Sequence, residues 1–142
     1  MRIYFAGSIS GGRDDWNTYR GIIALLSNHG TVLTEHVGDS KISITGEDLD
    51  DAYIHDRDLE WLRSCDCVVA EVTRPSLGVG YEIGRATEWG KPVLCLYRPS
   101  ITPRLSAMIA GCNKVTLQSY EQLEDLKSIF ADHFSNPHDN CS

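Results

Sequence analysis

The chain has 142 residues, 42% of them hydrophobic and 23% charged, which fits one globular domain with a sizeable core and excludes a disordered or fibrous polymer. A formal net charge of −7 argues against binding polymeric nucleic acid, which needs a dense positive footprint, yet it permits a small phosphate ligand held by a few local donors. No apolar run is long enough to cross a bilayer, and MRIYFAGSIS is too short in its apolar part for a secretory leader. An intracellular protein is therefore expected, cytoplasmic or nuclear, with no membrane partner.

Apolar runs and helical patterns alternate along the chain. Strands are expected at Ile3–Ala6, Thr31–Thr34, Cys67–Val72, Val93–Tyr97 and Lys114–Leu117. Helices are expected between and after them. Asp14–Asn28 carries Trp16, Tyr19, Ile23 and Leu26 at helical spacing, with Gly30 as its stop signal. Leu49–Ser64 follows, then Gly78–Trp89 with Gly90 and Pro92 beyond it, a short helix Thr102–Ala110 with Pro103 in its first turn, and Tyr120–Phe134. Strict β-α alternation builds a parallel sheet covered on both faces, so the expectation is an α/β fold: a flavodoxin-like or Rossmann-like three-layer sandwich around a five-stranded parallel sheet. One domain spans 1–134, and 135–142 reads as a disordered tail. In such folds ligands bind outside the carboxyl ends of the strands, which points to GSISGGR, TEH, EVTRPSLGVGYE and YRPS.

The five cysteines, Cys65, Cys67, Cys95, Cys112 and Cys141, are odd in number and form no CxxC pair. They read as reduced and mostly buried. The histidines show no HExxH or similar spacing, so no metal is implied.

Three places break local rules. In SLGVGYEIG, Glu82 falls beside the apolar face formed by Val79, Ile83 and Ala86, with Gly78 and Gly80 ahead of it. It is either a catalytic carboxylate reached across a glycine floor or an acidic residue that stabilises a helix N-terminus. In IHDRDLEWLRSC, Asp58 lies within the inward stripe of Ile54, Trp61, Leu62 and Cys65. It is either a structural Asp that caps a loop or pairs with an arginine, or a second active-site carboxyl with a raised pKa. GSISGGR, residues 7–13, is a Gly/Ser loop between strand and helix that can hold phosphate, though many such turns bind nothing. Two carboxyls in one cleft suit glycosidic chemistry, one as nucleophile and one as proton donor, with a separation of roughly 5–5.5 Å in retaining enzymes.

YFAGSISGGR, VLTEHV, IHDRDLEWL, VVAEVTRPSLGVGYEIGRA, KPVLCLYRP and LSAMI together resemble the 2′-deoxynucleoside 5′-monophosphate N-glycosidases (Rcl-like proteins) of the nucleoside deoxyribosyltransferase superfamily. The likeness runs from about residue 2 to about residue 110. It implies a homodimer that hydrolyses a deoxynucleoside 5′-monophosphate to free base and 2-deoxyribose 5-phosphate through a covalent intermediate, without a cofactor. By resemblance Glu82 is the nucleophile, Asp58 the acid that assists departure of the base, and Tyr4 the group that positions the nucleophile. Ser8, Ser76 and Ser106 hold the 5′-phosphate. Gly7, Ile9 and His36 line the sugar and base pocket, and Gly78 and Gly80 form its floor. Ser106 and Met108 are supplied across the dimer interface. Where mammalian members read GSIRGGR, Ser10 stands in place of an arginine implied in phosphate binding; Gly11 and Arg13 are kept in the same loop, and Arg74 adds a positive charge beside Ser76. Bland readings stay open for Tyr4 as a core tyrosine, for His36 as a loop support, and for Trp61 and Trp89 as core or dimer interface.

Three rivals share these residues. A nucleoside 2-deoxyribosyltransferase passes the same intermediate to a second base. A ribonucleotide N-glycosidase accepts a 2′-hydroxyl near Ile9. A non-catalytic nucleotide-binding module binds without releasing base.

Overall fold

The computed structural model describes residues 1–9, 12–34 and 50–135, at Arg13 the backbone only. Ten elements alternate: β1 (Arg2–Gly7), α1 (Gly12–Leu26), β2 (Thr31–Val32), α2 (Asp51–Ser64), β3 (Cys67–Glu71), α3 (Leu77–Glu88), β4 (Val93–Tyr97), α4 (Ala107–Ala110), β5 (Val115–Ser119) and α5 (Leu123–Ser135). All strand pairs are parallel and the order is β2-β1-β3-β4-β5, the flavodoxin-like arrangement. The chain reverses its direction of winding between β1 and β3, where Gly7 sits in register with Glu71. In folds of this class ligands bind at such a point.

Alternation along β1 sorts the two cores. Ile3 and Phe5 face α1 and α5, where they meet Tyr19, Ile22, Leu26, Leu126 and Phe130. Tyr4 and Ala6 face the opposite layer, with Leu62, Val79, Ile83 and Ala86 of α2 and α3. All five residues of β3 are buried, the apolar run 67–70 as expected of a central strand and Glu71 at its carboxyl end.

Several boundaries differ from those expected, three of them where a side chain takes up a backbone or buried partner. The second strand stops at Val32 because the Thr34 hydroxyl replaces the ladder: it accepts from Phe5 N at 2.9 Å and donates to Phe5 O at 2.6 Å. The fourth helix begins only at Ala107. Thr102 is drawn away by its hydroxyl bond to the Thr73 carbonyl at 2.6 Å, Pro103 lies outside the helix, and Ser106 is the cap. The last helix begins at Leu123 rather than Tyr120, since Tyr120 N bonds to the Tyr97 carbonyl at 3.0 Å and its hydroxyl to Glu71. The first helix runs Gly12–Leu26, and β5 extends to Ser119. Among the described residues Cys65, Cys67 and Cys95 are buried free thiols, pushed by burial to about 11, 12 and 12, and Cys112 is half-buried. Cys141 and residues 136–142 of the expected tail lie outside the described residues.

Candidate active site

Tyr4 lies mid-strand on β1 and is 1% exposed. Because it points into the α2/α3 layer, its hydroxyl meets α3, where it donates to Oε2 of Glu82. Helical geometry does the rest: Val79, Ile83 and Ala86 anchor α3 on the sheet, and Glu82 falls between that buried face and solvent. Glu82 stands beyond the first turn of α3, where the helix dipole gives a carboxylate little support. Burial therefore dominates and pushes its carboxyl from the ordinary 4.5 up to about 7; the negative charge of Asp58 adds to the rise and the Tyr4 hydroxyl opposes it. Burial, with the Glu82 charge and hydrogen bond behind it, drives the Tyr4 phenol far above its usual range, so it stays a proton donor.

Asp58 approaches from α2, near enough for its charge to act on Glu82. Its side chain is 26% exposed rather than buried, because the inward stripe of α2 is buried only toward its C-terminal end, at Leu62. Arg57 grips Oδ1 through Nε at 3.0 Å and Nη2 at 2.9 Å.

The glycines divide into two kinds. A Cβ built on Gly80 would meet nothing within 4 Å, and one on Gly78 only the Ser76 hydroxyl at 3.9 Å. Neither has a positive φ. These positions are open space above a helix start, so packing does not demand glycine there. Gly7 is different: a Cβ would lie 3.1 Å from the Tyr19 ring, a packing reason for its small size. Ser76 caps α3, its oxygen accepting from Val79 N at 3.3 Å, which leaves its own proton to give. Ser8 is buried at 2% and Ile9 is exposed at 46% beyond the end of β1. Ser10, Gly11 and His36 lie outside the described residues.

Ser106 and Met108 do not join Glu82 within one chain. They line a cleft of about 710 Å³ on the other flank of α3, together with Ser76, Gly80 and Ile109. Neither Tyr4, Asp58 nor Glu82 lines that cleft. Leu77 and Met108 at its rim are 97% and 83% exposed. Trp61 and Trp89 pack against the α2/α3 core, and arginines lie over both rings: Arg57 over Trp61 at 4.8 Å, and Arg63 at 4.6 Å and Arg85 at 4.9 Å over Trp89. Among the described residues no helix is long and apolar enough to cross a membrane, and no group of His, Cys, Asp or Glu is arranged to hold a metal ion.

The family model for nucleoside 2-deoxyribosyltransferase matches residues 3–129. The chain belongs to this family. A Tetraodon nigroviridis protein named 5-hydroxymethyl-dUMP N-hydrolase is 52% identical over 141 residues, covering 96% of this chain and 99% of that protein. A Nematostella vectensis protein named putative 2′-deoxynucleoside 5′-phosphate N-hydrolase 1 is 52% identical, with 95% of each chain covered. The Homo sapiens 5-hydroxymethyl-dUMP N-hydrolase is 50% identical over 127 residues, covering 86% of this chain and 73% of the human one. Among solved structures, a Clostridium botulinum CMP N-glycosidase superposes with a TM-score of 0.66 at 16% identity, covering 94% of this chain and 99% of that one. A likeness at that identity speaks to the fold alone.

This member of the deoxyribosyltransferase family also carries a charged cluster that its sequence does not single out. Asp15 and Glu71 are buried at 2% and 1% exposure, and Arg98 and Arg74 face them. Asp15 looks like an ordinary acid in a helix first turn, and Glu71 like the polar end of an apolar strand. Only the fold brings their partners, 59 and 83 residues away from Asp15, into contact.

Proposed function

We propose that this protein hydrolyses the N-glycosidic bond of 2′-deoxynucleoside 5′-monophosphates, releasing free base and 2-deoxyribose 5-phosphate. The observation that carries the reading is the buried Tyr4–Glu82 bond, with the Asp58 charge beside it, in a chain about half identical to proteins named for that hydrolysis. Ionised Glu82 attacks C1′ of the sugar from one face, and the C1′–N bond breaks. The electron pair leaves with the base, which takes a proton delivered or oriented by Asp58. Water then attacks C1′ of the deoxyribosyl ester, giving its proton to Asp58, and Glu82 departs as a carboxylate. Tyr4 keeps its proton throughout and stabilises the Glu82 carboxylate whenever it is free. The open surface at Gly78 and Gly80 is the floor for the sugar, and Ser8 and Ser76 hold the phosphate. No step requires a metal or cofactor.

The active form is a homodimer. Support comes from the cleft along α3 and α4, whose rim exposes Leu77 and Met108, and from the position of Ser106 on it, separate from Glu82 within one chain. A second copy seated there brings its Ser106 and Met108 to the phosphate end of the site. Purified protein incubated with deoxynucleoside monophosphates, 5-hydroxymethyl-dUMP included, tests the reading by chromatography of the free base. Release from the monophosphates but not from nucleosides or ribonucleotides is expected. Exchange into an added free base in preference to water would instead place the chain with the transferases.

A further inference from the structure

Ser8 follows β1 and Ser76 precedes α3, so the two phosphate serines sit on separate segments. A charged cluster at the carboxyl edge of the sheet ties these segments together. Asp15, in the first turn of α1, has a side chain only 3% exposed, and both its oxygens are engaged. Oδ2 accepts from Nε of Arg74, and Oδ1 accepts from Nη2 of Arg98 at 3.4 Å. Arg98 also approaches Glu71, Nε to Oε2 at 3.6 Å, while the other Glu71 oxygen accepts from Thr73 N at 2.6 Å. Two buried carboxylates are thus matched by two guanidiniums, as burial of charge demands.

The two arginines are not equivalent. Arg98 is 15% exposed and spends its charge inside the cluster. Arg74 is 45% exposed. Its bond to Asp15 uses Nε, and among the described residues no hydrogen bond takes its terminal nitrogens. It stands two residues ahead of Ser76 and borders the same cleft as Ser76 and Ser106. A surface ion pair would be the plain alternative, and such pairs have little structural effect. Here, however, the partner carboxylate is buried and anchored twice, so it fixes one edge of the guanidinium and leaves the other edge turned outward. That is the preorganised fork by which arginine grips phosphate oxygens.

We propose that Arg74 binds the substrate's phosphate and that Asp15 is the positioning residue that aims it. The inference rests on the monophosphate reading above and adds to it the charge that meets the phosphate dianion. Arg74 touches no bond that is made or broken, so its effect falls on binding.

The test is Arg74→Gln, whose amide can still donate to Asp15, with Arg74→Lys and Asp15→Asn beside it and thermal melting of each variant to establish that it is folded. Arg74→Gln is expected to raise KM for a deoxynucleoside monophosphate roughly 10- to 100-fold, as for loss of a charge-assisted hydrogen bond, with a much smaller change in kcat. Inhibition by inorganic phosphate should weaken by the same factor, Arg74→Lys should recover part of the loss, and Asp15→Asn should shift KM in the same direction. Unchanged KM and unchanged phosphate inhibition in Arg74→Gln overturn the proposal. If the wild type cleaves no monophosphate, the substrate reading fails, and calorimetry with 2-deoxyribose 5-phosphate still decides the role of Arg74. Binding that is lost in Arg74→Gln supports it; equal binding, or none to the wild type, overturns it.

Discussion

Replacing Glu82 by Gln should abolish base release and, at neutral pH, make the protein more stable. The amide keeps the shape of the side chain and still accepts the Tyr4 hydroxyl bond, but it cannot ionise. In the wild type, burial raises the Glu82 carboxyl from 4.5 to about 7. The sign follows from linkage. Below about pH 4.5 the carboxyl is neutral in folded and unfolded chains alike and contributes nothing. Between there and about pH 7 the unfolded chain gives up its proton while the folded one holds it, so stability is lost as pH rises. Above about pH 7 both are ionised and the penalty stays constant. It is about 3 kcal/mol if each tenfold change in proton affinity is worth about 1.4 kcal/mol, and nearer 2 once partial exposure is allowed for. Denaturant unfolding of wild type and Glu82→Gln from pH 4 to pH 9 reads this, because titrating groups not coupled to Glu82 cancel in the difference. The stability difference should be near zero in acid, climb through the intermediate range and level off above neutrality. A difference that does not vary with pH would refute the claim that Glu82 is held in a desolvating site.

Activity should show the other side of the same perturbation: kcat/KM of the wild type falls as pH drops below about 7, approaching tenfold per pH unit, because protonated Glu82 cannot attack C1′. Tyr4→Phe removes the donor that opposes the rise, so that acid limb should move to higher pH and the rate fall by roughly 10- to 100-fold. Gly80→Ala should stabilise α3 by roughly 0.5–1 kcal/mol while raising KM sharply, since the added methyl meets no protein atom and fills the sugar's floor; thermal melting and steady-state kinetics on the same sample check both halves. Gly7→Ala should do the reverse in stability, lowering the denaturation midpoint by an amount equivalent to about 1–3 kcal/mol through its contact with Tyr19. Leu77→Asp should shift sedimentation from dimer to monomer and reduce activity together, Leu77 being 97% exposed in the single chain.

The layered fold and the strand order follow from what the sequence displays openly. Residues 67–70 and Val93–Tyr97 are continuous apolar runs between amphipathic helices, and such runs become central parallel strands. Glu82 stands out because a carboxylate beside Val79, Ile83 and Ala86 violates the helix pattern. Tyr4 does not stand out in the same way: a tyrosine in a strand looks like any core aromatic, and only the resemblance marks it. Three of the misplaced boundaries share one cause. Thr34, Thr102 and Tyr120 end or delay an element by hydrogen bonds to residues 29, 29 and 49 positions away, and local propensity carries no trace of such partners. The Asp15–Arg74–Arg98–Glu71 cluster is hidden for the same reason. Gly7 reads as part of the pocket lining, yet the Tyr19 ring supplies a packing reason of its own.

The central claim is that Glu82 is a nucleophile that carries the sugar. Acid quenching of the protein during turnover of a deoxynucleoside monophosphate, followed by peptide mass spectrometry, tests this directly. The predicted result is a 2-deoxyribose 5-phosphate adduct on the peptide containing Glu82, absent from Glu82→Gln, which releases no base. Base release by Glu82→Gln at a rate near that of the wild type, or an adduct on another residue, would contradict it.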